Sequence, residues 1–239
     1  MNTLRRTVLT SDSIWARTAR AGWQAVRRTS LPAPPILIRP ILTGWLSLRS
    51  IGHFLRRVIY AQPLFRAYCT ECGRNLRTGI FLHWVQGRGR ILLGDDVTLD
   101  GKISFSFAAR FSNAPTLQIG DRSLLSHDCN LTIADRITIG RDCLIAGGVM
   151  ILDSSGHPLD PDRRRAKLPP DPHQVRPVTI GDNVWIGARV IILPGTVIGA
   201  DSVVAAGSVV RGVFPPGSLV AGNPARLVKN LRTDPRALA

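Results

Sequence analysis

From Val178 to Phe214 aliphatic residues recur at every sixth position: Ile180, Ile186, Ile192, Ile198, Val204 and Val210. The residue after each is Gly181, Gly187, Leu193, Gly199, Ala205 and Arg211, mostly small, and the residue four after each is Val184, Val190, Thr196, Ser202, Ser208 and Phe214. An α-helix repeats every 3.6 residues and a strand every two, so a period of six belongs to neither alone. It fits one short parallel strand and one turn per hexapeptide, with the aliphatic residue inward and a small residue where the chain bends. Three such units close a triangular coil, and stacked coils bury a column that no single repeat buries alone. Each inward Ile or Val contributes about 1.5–3 kcal/mol. The pattern predicts an all-β solenoid.

The same beat runs earlier, at Leu93, Leu99 and Phe105, at Ile119, Leu125 and Leu131, and at Ile133, Ile139, Ile145 and Ile151. Between Phe105 and Ile119, and between Leu131 and Ile133, the phase slips by two residues, a shift expected to be absorbed in a corner loop. From Asp153 to Pro177 the beat stops in a polar, proline-rich stretch, DSSGHPLDPDRRRAKLPPDPHQVRP. An insertion of this length in a solenoid leaves through a corner and protrudes from one face, where loops carry function. It holds His157 and His173.

Upstream the pattern changes. Trp15, Trp23 and Val26 mark the apolar side of a short helix expected within residues 11–28, started by Ser11 or Ser13. Pro32, Pro34, Pro35 and Pro40 predict an extended connector over 30–40. Ile41, Trp45, Leu48, Leu55 and Ile59 then recur at helical spacing, with Thr43, Ser47, Ser50, Arg56 and Arg57 on much of the other side, which predicts an amphipathic helix over 41–60. Two domains follow: a basic helical arm over 1–90, and a solenoid domain over 91–239 that includes the loop 153–177 and a C-terminal tail.

Charge sharpens this division. Residues 1–90 contain fifteen Arg, no Lys, and only Asp12 and Glu71 as acids, a net of +13 against +15 for the whole chain. Such an excess attracts anionic lipid, nucleic acid or acidic polysaccharide. Four of the five Trp (Trp15, Trp23, Trp45, Trp84) lie in the same region, and Trp beside Arg suits a membrane interface. An anionic membrane surface is therefore the expected partner, with capping of the first coil as the alternative role of the 41–60 helix, and no nucleic acid. Arg39, Arg49, Arg56 and Arg57 interrupt the best candidate for a membrane span. The start lacks the apolar core of a secretory signal, although its Arg-rich, acid-poor composition mimics an organelle transit peptide. Cys69 and Cys72 form a CxxC that lacks two further zinc ligands. With Cys129 and Cys143 inside the repeats, all four read as free thiols in a reducing compartment, with no metal.

The segments GHPLDPDRR (Gly156–Arg164), GDNVWIGA (Gly181–Ala188) and AGNPARLVK (Ala221–Lys229), in this order with the loop between the first two, resemble the hexapeptide-repeat acyltransferases, in particular the galactoside and maltose O-acetyltransferase branch. Residues 40–90 resemble the arm of acetyltransferases encoded beside exopolysaccharide glycosyltransferases. The resemblance implies a left-handed parallel β-helix, a homotrimer and acetyl-CoA as acyl donor. It assigns His157, of the His-Pro motif, as general base; an imidazole of ordinary pKa near 6.5 suits removal of a sugar hydroxyl proton as the oxygen attacks a thioester. The oxyanion donor maps to the backbone N–H of Ala188, and Trp185 to an aromatic wall of the acyl site. Pantetheine maps to the backbone near Ala206 and Gly207, and Arg211, Arg226 and Lys229 to the CoA phosphates.

Two positions depart from the resemblance. An Asn that holds the acceptor hydroxyl in the galactoside branch aligns with Asp128, flanked by His127 and Asn130, so Asp128 and Asn130 are the expected acceptor contacts. The row Arg163, Arg164, Arg165 adds Arg163 and Arg164 as contacts for an anionic acceptor. The reading is an O-acyltransferase that moves acetyl from acetyl-CoA to a sugar hydroxyl in bacterial exopolysaccharide or surface-polysaccharide assembly, cytoplasmic and peripheral at the inner face of the membrane. Acetylation of a small xenobiotic, N-acetylation of an amino sugar and a non-catalytic membrane-associated trimeric scaffold stay open as alternatives.

Overall fold

The structure is a computed structural model that describes residues 8–30, 33–108 and 110–232. It divides into two compact units, Met1–Ser50 and Ile51–Ala239.

In the first unit, helix α1 (Ile14–Arg28) places Arg17, Arg20, Gln24, Arg27 and Arg28 on one side by its 100° spacing. Trp15 and Val26 fall on the other side, with Ile14 and Trp23 at the borders between the two, and all four are exposed. Helix α2 (Pro35–Leu55), whose residues from Ile51 on belong to the second unit, buries none of its residues. It starts six residues before the expected position, within the stretch read as an extended connector. Proline at a first helical position has the φ a helix needs and lacks only an N–H that would be unpaired there, so Pro35 begins the helix. Pro40 lies inside it. No helix among the described residues is long and apolar enough to cross a membrane.

In the second unit, a π-helical turn (Arg56–Ala61) leads into helix α3 (Gln62–Arg66). Phe65 of α3 is buried, with its ring 4.6 Å from that of His83 and 5.6 Å from that of Phe105. It closes the end of a solenoid of three parallel sheets with seven, eight and six strands. Registered inward residues stack from coil to coil: Leu93, Ile119, Ile139, Ile180, Ile198 and Phe214 in the first sheet, and Leu99, Leu125, Ile145, Ile186, Val204 and Val220 in the second. Val85, Phe105, Leu131, Ile151, Ile192 and Val210 stack in the third. Among the strands of the described residues only Ala225–Asn230 runs antiparallel, against Ser218–Gly222.

The solenoid begins at Glu71–Cys72 and not near residue 91. Its first coil, Glu71 to Gln86, lies inside the stretch assigned from sequence to the arm. The reason is chemical: the inward positions of this coil include Cys72, Thr78 and Val85, and buried His83, so the aliphatic beat is broken although the coil is formed.

Within each coil from Leu93 onward, the steps from first to second and from second to third sheet are six residues. Departures from six fall at the third edge, where the third sheet passes to the first sheet of the next coil. One slip is an insertion between strands Ser104–Phe107 and Thr116–Ile119. The other needs no separate loop. Strands Asn130–Ile133 and Arg136–Ile139 lengthen to four residues each, and Ile133 and Ile137 join the core. The largest insertion, between Met150–Leu152 and Val178–Ile180, leaves from the same edge.

The first edge is held by polar ladders. Asn75, Asp96, Arg122, Asp142, Asn183 and Asp201 adopt φ of +54° to +59°, a left-handed conformation that Asn and Asp tolerate better than most residues. Beside them Arg141 donates its backbone N–H (2.8 Å) and its guanidinium (2.9 Å) to Asp182, and Arg122 pairs with Asp142 at 2.7 Å. These bonds hold the Asp182 and Asp142 carboxyls below their ordinary pKa.

Candidate active site at the third edge

The insertion that carries His157 has a closed neck. Ser154 and Val175 form an antiparallel bridge, and Arg176 donates its N–H to the Asp153 carbonyl at 2.8 Å. Asp153 anchors the foot of the insertion. Its buried carboxylate accepts the N–H groups of Ala134 and Asp135, both at 2.7 Å. Burial raises its pKa while those hydrogen bonds oppose the rise. Beyond the neck, Pro161–Arg165 forms the short helix α4, capped by Asp160, which accepts the Arg163 N–H at 2.7 Å.

His157 is exposed, and its carbonyl accepts from the Ser155 hydroxyl at 3.1 Å. It lines a cavity of about 610 Å³ together with Arg110 and Phe111 from one insertion and Arg164, Lys167 and Leu168 from the other. This cavity is built between two insertions of the same edge. Thr132, Ser154 and Gly156 also line a neighbouring cavity of about 600 Å³, where Arg211 meets His173 and Arg176.

The row of three arginines does not present three free charges. Arg163 is ion-paired with Asp171, and Arg165 with Asp162 at 2.8 Å. Arg164 donates to the carbonyls of Pro158 and Leu159 while also lining the His157 cavity. The geometry spends Arg163 on holding the loop together. Arg110 and Lys167 were not singled out in the sequence. The signal for Arg110 lay in the slip after Phe105, which is an insertion at the His157 edge.

The other candidates fall on or beyond the opposite side of the third sheet. Asp128 (φ +60°), Arg189 (+57°) and Gly207 (+71°) occupy left-handed turn positions of the second edge, so an Asx residue at 128 also meets a conformational requirement. The His127 ring nitrogen Nδ1 lies 3.0 Å from the Asp128 carboxylate. Asn130 opens the third-sheet strand whose next outward residue, Thr132, lines the His157 cavity; same-face neighbours on a strand are about 6.6 Å apart. Ala188 and Ala206 stack at the second edge, with Gly207 donating its N–H to the Ala188 carbonyl at 2.9 Å. The Ala188 N–H has no acceptor among the described residues, and the same holds for His127, Gly147 and Ala206 at equivalent corners. Trp185 is exposed on the second sheet, in register with Leu144 and Val203. Arg226 and Lys229 lie on the terminal antiparallel strand.

The single chain therefore brings together His157 and Arg164, with Arg211 in the adjoining cavity and Asn130 one outward step away. It does not bring His157 into the same cavity as Trp185, Ala188, Ala206 or Gly207. Among the described residues no cluster of three or more His, Cys, Asp or Glu is arranged to hold a metal ion. All four cysteines are unbridged, and burial, with Cys72 beside it, pushes the Cys69 thiol up to about 12.

A three-sided parallel solenoid with six-residue steps and a histidine-bearing insertion at one edge defines a hexapeptide-repeat transferase. Residues 177–212 match the family model described as bacterial transferase hexapeptide (six repeats). Over 161 residues the chain is 34% identical to the putative lipopolysaccharide biosynthesis O-acetyl transferase WbbJ of Escherichia coli (strain K12), covering 65% of this chain and 80% of that one. The chain belongs to the hexapeptide-repeat acetyltransferases. It is 42% identical over 105 residues to the galactoside O-acetyltransferase of the same organism, 43% of this chain and 49% of that one, and it spans about half the length of several curated relatives it matches. Among solved structures, the polysialic acid O-acetyltransferase OatWY is similar with a TM-score of 0.55 and 30% identity over 66% of this chain and 72% of that one. A solved hexapeptide-repeat acetyltransferase from Vibrio cholerae, 30% identical over 71% of this chain and 75% of that one with a TM-score of 0.49, is complexed with acetyl coenzyme A.

Proposed function

We propose that this chain is an O-acyltransferase that moves acetyl from acetyl-CoA to a sugar hydroxyl in the assembly of a bacterial surface polysaccharide. The observation that carries the reading is the placement of His157, exposed in a cavity large enough for a sugar and held at the end of a braced loop. In this reading the coils wind left-handed and the protein is a homotrimer. His157 accepts the hydroxyl proton as the oxygen attacks the thioester carbonyl; the carbonyl oxygen takes negative charge and is met by the Ala188 N–H. The proton leaves with the CoA thiolate. Asp128, Asn130 and Arg164 face the acceptor, while Trp185, Ala206 and Gly207 line the donor, with Arg211, Arg226 and Lys229 near the CoA phosphates.

The separation of these residues within one chain supports a site composed by two subunits, His157 of one protomer facing Trp185 and Ala188 of its neighbour. Subunit mixing tests this. His157→Ala and Trp185→Ala proteins, each weakened alone, regain activity when co-assembled if the residues act across an interface, because some interfaces then carry both intact residues. Mixtures no better than the average of the two parents contradict the arrangement.

The basic arm, in this proposal, lies at the inner face of the cytoplasmic membrane, where lipid-linked sugars are made. Helix α1, with exposed Trp15 and Val26 opposite its arginines, and helix α2, none of whose apolar residues is buried, support that placement, as does the Arg49 guanidinium stacked 4.8 Å from the Trp45 ring centre.

A further inference from the structure

The charge around His157 is not balanced. Arg110, Arg164 and Lys167 line its cavity, and no acidic residue does. Of the nearby carboxylates, Asp153 meets two buried backbone N–H groups, Asp160 the Arg163 N–H, Asp162 Arg165 and Asp171 Arg163, and Asp135, at the same edge, lines neither cavity. Arg164 gives one guanidinium nitrogen to two carbonyls, whereas the Arg110 and Lys167 side chains have no partner among the described residues.

These two cations come from different insertions, one preceding the coil that holds Thr132 and one following the coil after it. They converge on the cavity of the proposed base. Phe111, Leu168 and Pro170 line the same cavity and offer apolar surface for the carbon face of a sugar ring while its charged group is held. Unneutralised charges lining a cleft raise the local concentration of ligands of opposite sign, and a charge-assisted contact is roughly twice as strong as a neutral one.

We infer that Arg110 and Lys167 select an anionic acceptor, a sugar whose reacting hydroxyl lies near a carboxylate or a phosphate. The inference rests on the acyl-transfer reading for the chemistry but not for the binding. Arg110 and Lys167 act in specificity and take no part in bond making.

The test is CoA release from acetyl-CoA by the full chain with three acceptors: maltose, an oligogalacturonate and glucose 1-phosphate. Wild type is compared with Lys167→Gln and with Arg110→Gln/Lys167→Gln, each with its melting temperature measured. The expected result is that an acidic acceptor outperforms maltose. The double variant then raises the KM for that acceptor at least tenfold with kcat within twofold, and the single variant falls between. The acid that shows the effect identifies carboxylate or phosphate as the recognised group. Equal use of maltose and both acids by wild type, or a KM unchanged in the double variant, overturns the inference while acyl transfer stands. If no acceptor supports CoA release, direct titration of the two acids separates the claims. Binding that weakens at least tenfold in the double variant sustains anion recognition and counts against the transfer reading. No binding of either acid by wild type overturns the inference.

Discussion

Arg164 donates one guanidinium nitrogen to the carbonyls of Pro158 at 3.0 Å and Leu159 at 2.9 Å, clamping the two residues that follow His157 from within helix α4. The base proposed at position 157 must meet a hydroxyl within hydrogen-bond reach and so depends on such bracing, since misplacement by about 1 Å costs on the order of 10²-fold in rate. Arg164→Ala is expected to lower kcat about tenfold to a hundredfold with little change in melting temperature, because the clamp lies outside the solenoid core. Steady-state kinetics separates this from a pure acceptor contact, which raises KM and leaves kcat intact.

His83 is buried against Phe65 and Phe105, accepts the Ile103 N–H through Nδ1 at 3.2 Å, and leaves Nε2 without a partner. Burial depresses its pKa to about 4. The unfolded chain takes up a proton near pH 6.5 and the folded chain does not, so stability present above that pH is lost as pH falls toward 4. The loss approaches about 3 kcal/mol, at 1.36 kcal/mol per pKa unit. His83→Phe is expected to flatten the melting temperature between pH 6.5 and 4, and an unchanged slope contradicts this account of the first coil.

A second acid transition belongs to the first-edge ladder. The Asp182 carboxyl is held low by the backbone and side chain of Arg141, so its contribution is present above the unfolded carboxyl pKa and disappears as pH falls through the folded value. Asp182→Asn is expected to reduce the drop in melting temperature between pH 5 and pH 2 while lowering stability at pH 7. The pair is largely exposed, and added salt is expected to shrink the difference between the two proteins.

Gly187 precedes Ala188 where coils approach closely: a Cβ there would meet the Ala206 nitrogen at 2.6 Å and the Val204 carbonyl oxygen at 2.9 Å. Gly187→Ala is expected to force the backbone apart and destabilise the protein by about 1–3 kcal/mol, the usual cost of overpacking. Activity is expected to fall further than stability, because the Ala188 N–H shifts with the turn. Denaturant unfolding and CoA release measured on one preparation check both.

On vesicles with anionic lipid, substitution of the exposed Trp15, Trp23 and Trp45 by Ala in the full chain is expected to weaken cosedimentation at least tenfold and to leave the solenoid's unfolding transition unchanged. Equal binding by the substituted chain contradicts the role given to the arm.

The solenoid was legible because Ile180 to Val210 keep a period that no other regular structure has, and the structure adds the register. The first coil was not, since Cys72, Thr78 and His83 replace aliphatics at inward positions and Phe65 supplies the missing apolar cover from outside the repeat. The connector was misread because Pro35 begins a helix as readily as it ends one. At the site, the motif around His157 drew attention to its loop, yet the arginine row gave no sign that Arg163 and Arg165 are paired within the loop. Arg110 was hidden for a different reason. Its proximity to His157 follows from two insertions sharing one edge, a relationship set by coil stacking rather than by sequence spacing.

The central claim is that His157 removes the acceptor's proton during acetyl transfer. It is tested most directly by the rate of CoA release from acetyl-CoA, measured for wild type and His157→Ala with membrane extract containing lipid-linked sugars as acceptor. The account predicts acceptor-dependent release by wild type and a loss of roughly 10²-fold to 10⁴-fold in the variant, with both proteins equally folded. Equal acceptor-dependent rates in the two proteins would contradict it.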